Sequence, residues 1–433
     1  MSSDARARHQ GETLPQIEPA RGGAISLGLF GVYLLLIFLG MMALHRPGVM
    51  VSGEELTWDR SLFLSVDCAT LGGFQVSIGV NDFNPDSGQG AAVVLLLTIG
   101  GSLFVLIVGG LAGVRALRLP YTDLQVITAA LTAELLAILA GAATLMTGGG
   151  NTFDAVQQSA AAFANSGALT CGQRLIPALT SWQAQVVLLP LAILGGLGLP
   201  VLMELYDAAF GRRRLSTHSR VTLGLTALAY LVSMGLLLMC LRPEGPFATK
   251  AEEHAAWRWA VGASSAAAVN ARTAGFPFTP GGGARVDFVN SFPRVAQWVL
   301  VLLMAVGASS AGTAGGIKTN TLYHLFTGTT DALRGRRASR AFGIAAVWVG
   351  GYLTIAVIGF LLLTYTDSQL PADRLIFLVI SALSNVGLAH DPVSIVGPGL
   401  FLLAGIMLLG RLAPLAVLWW LAQTTRDSDV LVG

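Results

Sequence analysis

Charged residues are scarce in this chain. Asp, Glu, Lys and Arg make up 12 % of its 433 residues, 54 % are hydrophobic, and the mean hydropathy is +0.67. Soluble domains carry about 25 % charged residues, so we interpret the chain as an integral membrane protein. Its net charge of +2 is too small to indicate the basic surface with which proteins bind nucleic acids.

Cysteine and histidine are too few, or wrongly spaced, for several kinds of site. The three cysteines, Cys68, Cys171 and Cys240, form no CxxC pair, and an odd number rules out a fully paired disulfide framework. The histidines lack HExxH or a similar metal-ligand spacing. We therefore expect no cofactor and no transition-metal site. An intramembrane enzyme is disfavoured because no Ser–His or paired-Asp arrangement occurs on facing spans.

Eight apolar runs are long enough to cross a bilayer as helices, which takes about 20 residues. They lie at 24–45, 91–114, 123–147, 184–205, 221–240, 296–326, 342–365 and 399–423. The first run is too long for a signal-peptide core, so we expect it to be retained. We predict an all-α protein with eight transmembrane helices.

The loops after the even-numbered runs are short and rich in arginine, and loops of this kind remain in the cytoplasm. The arginines are Arg115, Arg118, Arg212, Arg213, Arg214, Arg220, Arg334, Arg336, Arg337 and Arg340. Both termini are therefore predicted to be cytoplasmic, including a tail at 1–23.

Each outward connection contains a segment with helical character that is too short or too polar to span. Capping pairs indicate where three of these segments begin, and a proline at a plausible first helical position indicates the fourth. These signals are Ser52 with Glu55, Asn151 with Asp154, Thr249 with Glu252, and Pro371.

Each short segment ends in a turn of small residues. The four turns are ATLGGF (69–74), ANSGAL (164–169), RTAGFP (272–277) and SNVGLA (384–389). Aligned on Gly73, Gly167, Gly275 and Gly387, they are separated by 94, 108 and 112 residues. A single glycine often caps a helix and means nothing more. Four in matching positions predict four repeats of span, short helix, turn and span, at 24–119, 120–216, 217–340 and 341–433.

Such a repeat suits a path for cations. A short helix that enters the membrane from outside points its C-terminal end, with partial negative charge and unpaired carbonyls, towards the bilayer centre. Four turns around one axis would form a ring of carbonyl oxygens able to replace the water around an ion. Because the turns hold no carboxylate, a monovalent ion is favoured over Ca²⁺ or Mg²⁺.

Three further motifs carry a family resemblance: RTAGF (272–276), AGTAGGIKTN (311–320) and GRLAPL (410–415). With them the chain resembles the Trk/Ktr/HKT superfamily of potassium transporters, most closely the eight-span KtrB-type (TrkH-related) subunits, over nearly all residues after 23. The resemblance implies four pore helices around one central pore, and a filter that selects K⁺ over Na⁺ when all four glycines are present.

Carried over by position, the resemblance implies which backbone carbonyls bind K⁺. They belong to Leu71, Gly72, Asn165, Ser166, Thr273, Ala274, Asn385 and Val386. The first turn departs from the family pattern, because it has an extra glycine and an Asp67 where apolar or hydroxyl residues are usual. Its filter glycine is Gly72 or Gly73, and we favour Gly73.

A segment of small residues, GASSAGTAGGIKTN (307–320), interrupts the sixth run. At 1.5 Å per residue, the 11 residues from Ala296 reach about halfway through the membrane before it starts. Its low helix propensity predicts an unwound loop beneath the turns. The resemblance implies that this loop is a gate, formed by Gly307, Ser309, Ser310, Gly312, Thr313, Gly315, Gly316, Lys318 and Arg411.

Arg411 is expected at the same depth as the small-residue segment, about 18 Å into the last run. Since a charge there needs a partner or a wet cavity, our hypothesis is that Arg411 bonds carbonyls of the segment and opposes ions when the gate is closed. For Lys318, snorkelling to the cytoplasmic interface and tuning of the loop or of ion exit remain equal alternatives.

Further expectations concern individual residues and short motifs. Glu134 is expected to pair with a basic residue or a loop amide rather than to coordinate an ion, and Arg272 to bond an acidic group or free carbonyls behind the filter. GGLGLP (195–200) predicts a packing or kink site. Three aspartates at the outer mouth either concentrate cations or are simply solvated, namely Asp82, Asp86 and Asp391. The segment does not match a phosphate loop, because Ile317 separates Gly316 from Lys318.

The resemblance implies K⁺ uptake through the membrane of a bacterial cell (the plasma or inner membrane). It also implies a homodimer and a cytosolic nucleotide-binding ring subunit, similar to KtrA or TrkA, that docks on the basic loops. A member that conducts Na⁺, or co-transports K⁺ and Na⁺, stays open as an alternative. A purely structural or receptor-like protein would have no reason to repeat the glycine turn four times.

Overall fold

The fold was analysed in a computed structural model. It describes residues 19–50, 55–74, 83–84, 88–149, 151–169, 178, 180–276, 278, 289–367, 369–390, 393–424 and 431. The outer-mouth aspartates Asp82, Asp86 and Asp391, together with Cys171, lie outside these residues, as does the tail at 1–18. Within them Cys68 and Cys240 are free thiols.

The described part of the chain is helical and contains no β-strand, only two isolated β-bridges. Lipid offers no hydrogen-bond partner to the backbone, so long apolar segments satisfy their own N–H and C=O groups as helices. In chain order the helices are α1 Pro19–Leu44, α2 Trp58–Thr70, α3 Gln89–Ala116, α4 Asp123–Met146, α5 Thr152–Ala164, α6 Leu189–Leu197, α7 Leu199–Ala209, α8 Thr217–Cys240, α9 Lys250–Asn270, α10 Arg294–Ala305, α11 Thr319–Leu333, α12 Arg340–Thr366, α13 Ala372–Leu383 and α14 Pro398–Thr424.

Five of the described helices are long and apolar enough to cross a membrane: α3, α4, α8, α12 and α14. The segment Gln183–Leu197, a π-helical turn that continues into α6, forms a sixth candidate together with α7, from which it is bent by 104°. The run predicted at 296–326 is divided into α10 and α11 on either side of the interrupting segment, and each helix is shorter than a bilayer-spanning helix. The chain is therefore a multi-pass membrane protein built from whole and broken helices.

The membrane-spanning helices differ in how much of their apolar surface is buried in the protein. Only 11 % of the apolar window of α8 and 22 % of that of α12 is buried in the protein, whereas α3 and α14 are each 50 % buried. α14 packs against α2, α3, α12 and α13. Since exposed apolar side chains suit a lipid environment, α8 and α12 are peripheral and α3 and α14 are central.

Four helices, α2, α5, α9 and α13, precede the four glycine turns. Two predicted caps are confirmed: Asn151 accepts a hydrogen bond from the amide of Phe153, and Thr249 accepts one from that of Glu252. The predicted start of the first helix is wrong, because Glu55 lies outside the helix and α2 begins at Trp58 with Thr57 as its N-cap; Ser52 is not among the described residues. Pro371 precedes the first helical residue of α13 rather than occupying that position.

Candidate functional site

The four glycine turns meet in one closed ring. A Cβ atom added to any of their glycines would lie under 3.0 Å from the backbone of the neighbouring turn. The distance from the added Cβ to a carbonyl carbon of the next turn is 2.8 Å from Gly73 to Gly167, 2.9 Å from Gly167 to Gly275, 2.7 Å from Gly275 to Val386 and 2.8 Å from Gly387 to Gly72. Segments far apart in sequence are thus in backbone contact, and the fourth closes on the first. We call the four glycines the glycine ring.

Backbone angles show which glycine of the first turn is equivalent to the others. A non-glycine residue with positive φ stands two positions before the ring glycine in three turns: Leu71 (64°), Asn165 (56°) and Asn385 (48°). Leu71 lies two positions before Gly73, so Gly73 rather than Gly72 occupies the equivalent place. The third turn differs, since the carbonyl of Asn270 accepts hydrogen bonds from the amides of Ala274 and Gly275, both at 3.1 Å.

The residues predicted to supply ion-binding carbonyls are all buried around this ring. They are Leu71, Gly72, Asn165, Ser166, Thr273, Ala274, Asn385 and Val386. None of their backbone carbonyls accepts a hydrogen bond from a residue that the structure describes. Because buried carbonyls are nearly always paired, this set of free oxygens is unusual and is suited to a cation.

The small-residue segment forms a loop between α10 and α11. Its ends pair through a parallel bridge between Val306 and Ile317, in which Gly307 donates to the carbonyl of Ile317 at 3.0 Å and Ile317 to that of Ala305 at 2.9 Å. The predicted gate residues in it are buried, namely Gly307, Ser309, Ser310, Gly312, Thr313, Gly315, Gly316 and Lys318. The loop is therefore an internal element with a fixed base.

Two of the glycine turns contact the small-residue segment directly. The hydroxyl of Thr313 accepts a hydrogen bond from the side-chain Nδ2 of Asn165 at 2.6 Å and donates to the carbonyl of Phe163 at 3.1 Å. On the opposite side, a Cβ on Gly315 would lie 2.7 Å from the carbonyl carbon of Ser384. The segment therefore touches the second and fourth turns, with no space for a side chain at Gly315.

Two buried arginines connect the segment to the other two turns. Arg272 donates to the carbonyls of Val306 at 3.3 Å and Gly307 at 2.8 Å, so the expected carbonyl partners are confirmed. Arg411 donates to the carbonyl of Thr70 at 2.8 Å and to that of Thr313 at 2.5 Å. Arg411 thus bridges the end of α2 and the segment, as our hypothesis requires; its effect on ions stays a prediction.

The bend between α6 and α7 forms a third support for the segment. Gly196 and Gly195 accept hydrogen bonds from the amides of Ser309 and Thr313, each at 3.1 Å. Gly198 has a φ of 87°, and a Cβ there would lie 2.6 Å from the carbonyl oxygen of Ser310. The GGLGLP motif is therefore both a kink and a packing site, as predicted.

This geometry predicts that Gly198→Ala destabilises the protein. With φ at 87° and ψ at 147°, alanine would be held in a region that costs about 1–3 kcal/mol, in addition to its overlap with Ser310. We expect a lower thermal midpoint for the purified protein. Gly224→Ala is the matched control, because nothing lies within 4 Å of its Cβ position. An equal midpoint for both variants would contradict this view of the bend.

The structure excludes one of the two alternatives for Lys318 and contradicts the expected partner of Glu134. Lys318 is 5 % exposed and donates to the carbonyl of Ala314, so it does not snorkel to the interface. Glu134 is 2 % exposed, and its partner is the hydroxyl of Ser102 on α3. The expected partner of Glu134, a basic residue or a loop amide, was therefore wrong.

Some contacts were missed by sequence reasoning. The side chain of Asn165 bonds the segment, although only its carbonyl was singled out, and Asp67 bonds the backbone of its own turn. For Asn165 the sequence did offer a signal of a special position in the turn. Asparagine is one of the few residues that tolerate a left-handed backbone, which is the conformation of Asn165. Among the described residues no group of His, Cys, Asp and Glu could hold a metal ion.

Known proteins are similar to the chain in sequence and in fold. No family model matches it. The Ktr system potassium uptake protein B of Vibrio alginolyticus is 28 % identical over 284 residues, which is 63 % of this chain and 59 % of that protein. The protein of the same name from Bacillus subtilis is 27 % identical over 451 residues, 94 % of this chain and 96 % of the relative.

Among solved structures, the potassium transporter TrkH of Vibrio parahaemolyticus superposes with a TM-score of 0.70. The match covers 96 % of this chain and 86 % of that one, at 17 % sequence identity. At this identity the likeness establishes the shared fold, which is that of a helical membrane protein.

Proposed function

We propose that this chain, which is similar to the Ktr potassium uptake B proteins in sequence and to TrkH in fold, is a Trk/Ktr-type transporter and takes up potassium ions through the glycine ring. The observation that carries the proposal is the closed contact of four turns whose buried carbonyls have no described hydrogen-bond partner. The chain is accordingly a transporter and not an enzyme. The names of its relatives support potassium as the ion.

The chemistry of the ring favours a monovalent cation. Each preceding helix ends at the ring, so its partial negative charge adds to that of the carbonyls. Such neutral oxygens can replace the hydration shell of K⁺, whereas Ca²⁺ is usually bound by carboxylates. No carboxylate side chain is part of the turns themselves. No cofactor is proposed, because the transported ion needs only these oxygens.

In the proposed architecture, eight spans and four re-entrant helices form four repeats around one pore. The spans are α1 and α3, α4 and the bent pair α6–α7, α8 and the broken pair α10–α11, and α12 and α14. The re-entrant helices are α2, α5, α9 and α13. With the arginine-rich loops inside, both termini are cytoplasmic, and the chain resides in the bacterial cell membrane.

The small-residue segment is proposed to be the gate of this pore. Support comes from its contacts with all four turns, made directly through Thr313 and Gly315 and through the arginines Arg272 and Arg411. The charges of Arg411 and Lys318 below the ring would oppose ion passage in this arrangement. A homodimer and a nucleotide-binding ring subunit that controls the gate are also proposed, on the family resemblance.

Growth of a potassium-uptake-deficient bacterium at low external K⁺ tests the function. We expect the wild-type chain to restore growth, alone or with a ring subunit. In proteoliposomes, uptake of Rb⁺ should exceed uptake of Na⁺ by at least about tenfold, a difference of about 1.4 kcal/mol. Equal Rb⁺ and Na⁺ fluxes would favour the sodium-conducting or co-transporting alternative. No flux of either ion with the ring subunit present would contradict ion transport.

A further inference from the structure

The carboxylate of Asp67 is placed behind the first glycine turn. Asp67 lies in the last turn of α2 and is 0 % exposed. Its Oδ1 accepts hydrogen bonds from the backbone amides of Gly73 at 2.8 Å and Phe74 at 3.1 Å. The side chain therefore folds back over the end of its own helix and holds two consecutive peptide groups of the turn.

Two other turns hold the corresponding amide in a similar way. The residue after each ring glycine is Phe74, Ala168, Phe276 or Leu388. The amide of Phe276 donates to Oδ1 of Asn270 at 2.6 Å, and that of Ala168 donates to Oγ of Ser166 at 3.3 Å. In the described part of the fourth turn no side-chain oxygen takes this place. Three unrelated side chains thus supply one acceptor at one position.

Peptide geometry explains what this hydrogen bond does. In a trans peptide the N–H of one residue and the C=O of the preceding residue share a plane and point in opposite directions. A side chain that draws the amide of Phe74 away from the ring therefore turns the carbonyl of Gly73 towards the ring. The bond to the amide of Gly73 does the same for the carbonyl of Gly72.

The charge of Asp67 is not needed for this role. Asn270 holds the third turn with a neutral amide, and its Nδ2 donates to the carbonyl of Phe276 at 2.8 Å. Only one oxygen of Asp67 is used, since Oδ2 has no hydrogen-bond partner among the described residues. An asparagine at 67 would keep the oxygen that faces the turn and replace an atom that bonds nothing.

We propose that Asp67 is a positioning residue that aims the carbonyls of Gly72 and Gly73 at the ion, through its side-chain oxygen rather than its charge. The inference rests on the proposed function, because it concerns selectivity in the same ring. The first turn departs from the family pattern at this position, and the side chain of Asp67 would preserve the geometry that this turn shares with the others.

The test compares Asp67→Ala with Asp67→Asn in proteoliposomes, with Rb⁺ uptake and Na⁺ uptake measured separately. We expect Asp67→Ala, which removes both hydrogen bonds, to lower the Rb⁺/Na⁺ ratio about tenfold, a change of about 1.4 kcal/mol. Asp67→Asn should stay within about twofold of wild type. Asp154→Ala, which removes a carboxylate from the first turn of α5, is the matched control.

The outcomes separate this proposal from the proposed function. A wild-type protein without Rb⁺ uptake would contradict the function itself. If the wild type transports, an unchanged ratio in Asp67→Ala, or an equally low ratio in Asp67→Asn, would overturn the role of the oxygen. Should Asp67→Ala fail to fold by its gel-filtration profile, Ser166→Ala removes the same bond from the second turn and should lower the ratio. An unchanged ratio in that variant would overturn the proposal.

Discussion

Gly275→Ser is expected to abolish growth rescue at low external K⁺ and to lower Rb⁺ uptake at least about 100-fold, a loss of about 2.7 kcal/mol. Two costs combine at this residue. A Cβ there would overlap the carbonyl of Val386, and the φ of Gly275 is 57°, where a residue with a side chain is strained by about 1–2 kcal/mol. The carbonyl of Val386 must move, and it is one of the oxygens proposed to hold the ion.

The matched control for this substitution is Gly224→Ser on the lipid-facing helix α8. Nothing lies within 4 Å of a Cβ at Gly224, so the same chemical change should leave growth and uptake near wild type. Membrane abundance of both variants is measured by immunoblot. Growth rescue by Gly275→Ser at wild-type abundance would show that the ring tolerates a side chain and would contradict its proposed role.

Arg411→Ala is expected to raise Rb⁺ flux through the isolated subunit about 30-fold. A unit charge about 8 Å from an ion opposes it by about 2 kcal/mol at an effective dielectric constant near 20, and the substitution removes that charge. It also frees the carbonyls of Thr70 and Thr313, which releases the small-residue segment from the end of α2. Stopped-flow or isotope uptake in proteoliposomes measures the change.

One further variant separates the charge of Arg411 from its contacts, and another controls for the loss of a positive charge elsewhere. Arg411→Lys keeps a charge but not the forked geometry that bonds two carbonyls, so its flux should lie between those of wild type and Arg411→Ala. Arg220→Ala removes a charge from the exposed start of α8 and should leave the flux unchanged. Unchanged or lower flux in Arg411→Ala, at normal expression, would refute the gating hypothesis.

Local features of the fold followed well from the sequence. Asparagine and threonine caps marked the starts of α5 and α9, since these side chains satisfy free amides at a helix start. The start of α2 was misplaced because its N-cap residue, Thr57, makes no side-chain cap hydrogen bond, so this helix start lacks the interaction that a capping pattern indicates. Capping patterns thus locate the helix starts at which a side chain makes the cap.

Contacts between distant segments were harder to predict. The glycine spacing indicated that four turns are equivalent, but only the structure brings Asn165 to Thr313, which lies 148 residues away. The 104° bend at Gly198 was foreseen as a kink without its angle. For Glu134 the partner was missed, because a buried carboxylate is satisfied by whichever donor the neighbouring helix presents, and here that is Ser102.

The central claim is that backbone oxygens of the glycine ring bind a dehydrated monovalent ion. A crystal of the protein grown in Rb⁺ and measured at the rubidium absorption edge tests it directly. We predict an anomalous peak on the axis of the ring, bounded by the carbonyls before Gly73, Gly167, Gly275 and Gly387. Occupied Rb⁺ sites elsewhere in the protein, with none inside the ring, would contradict the account.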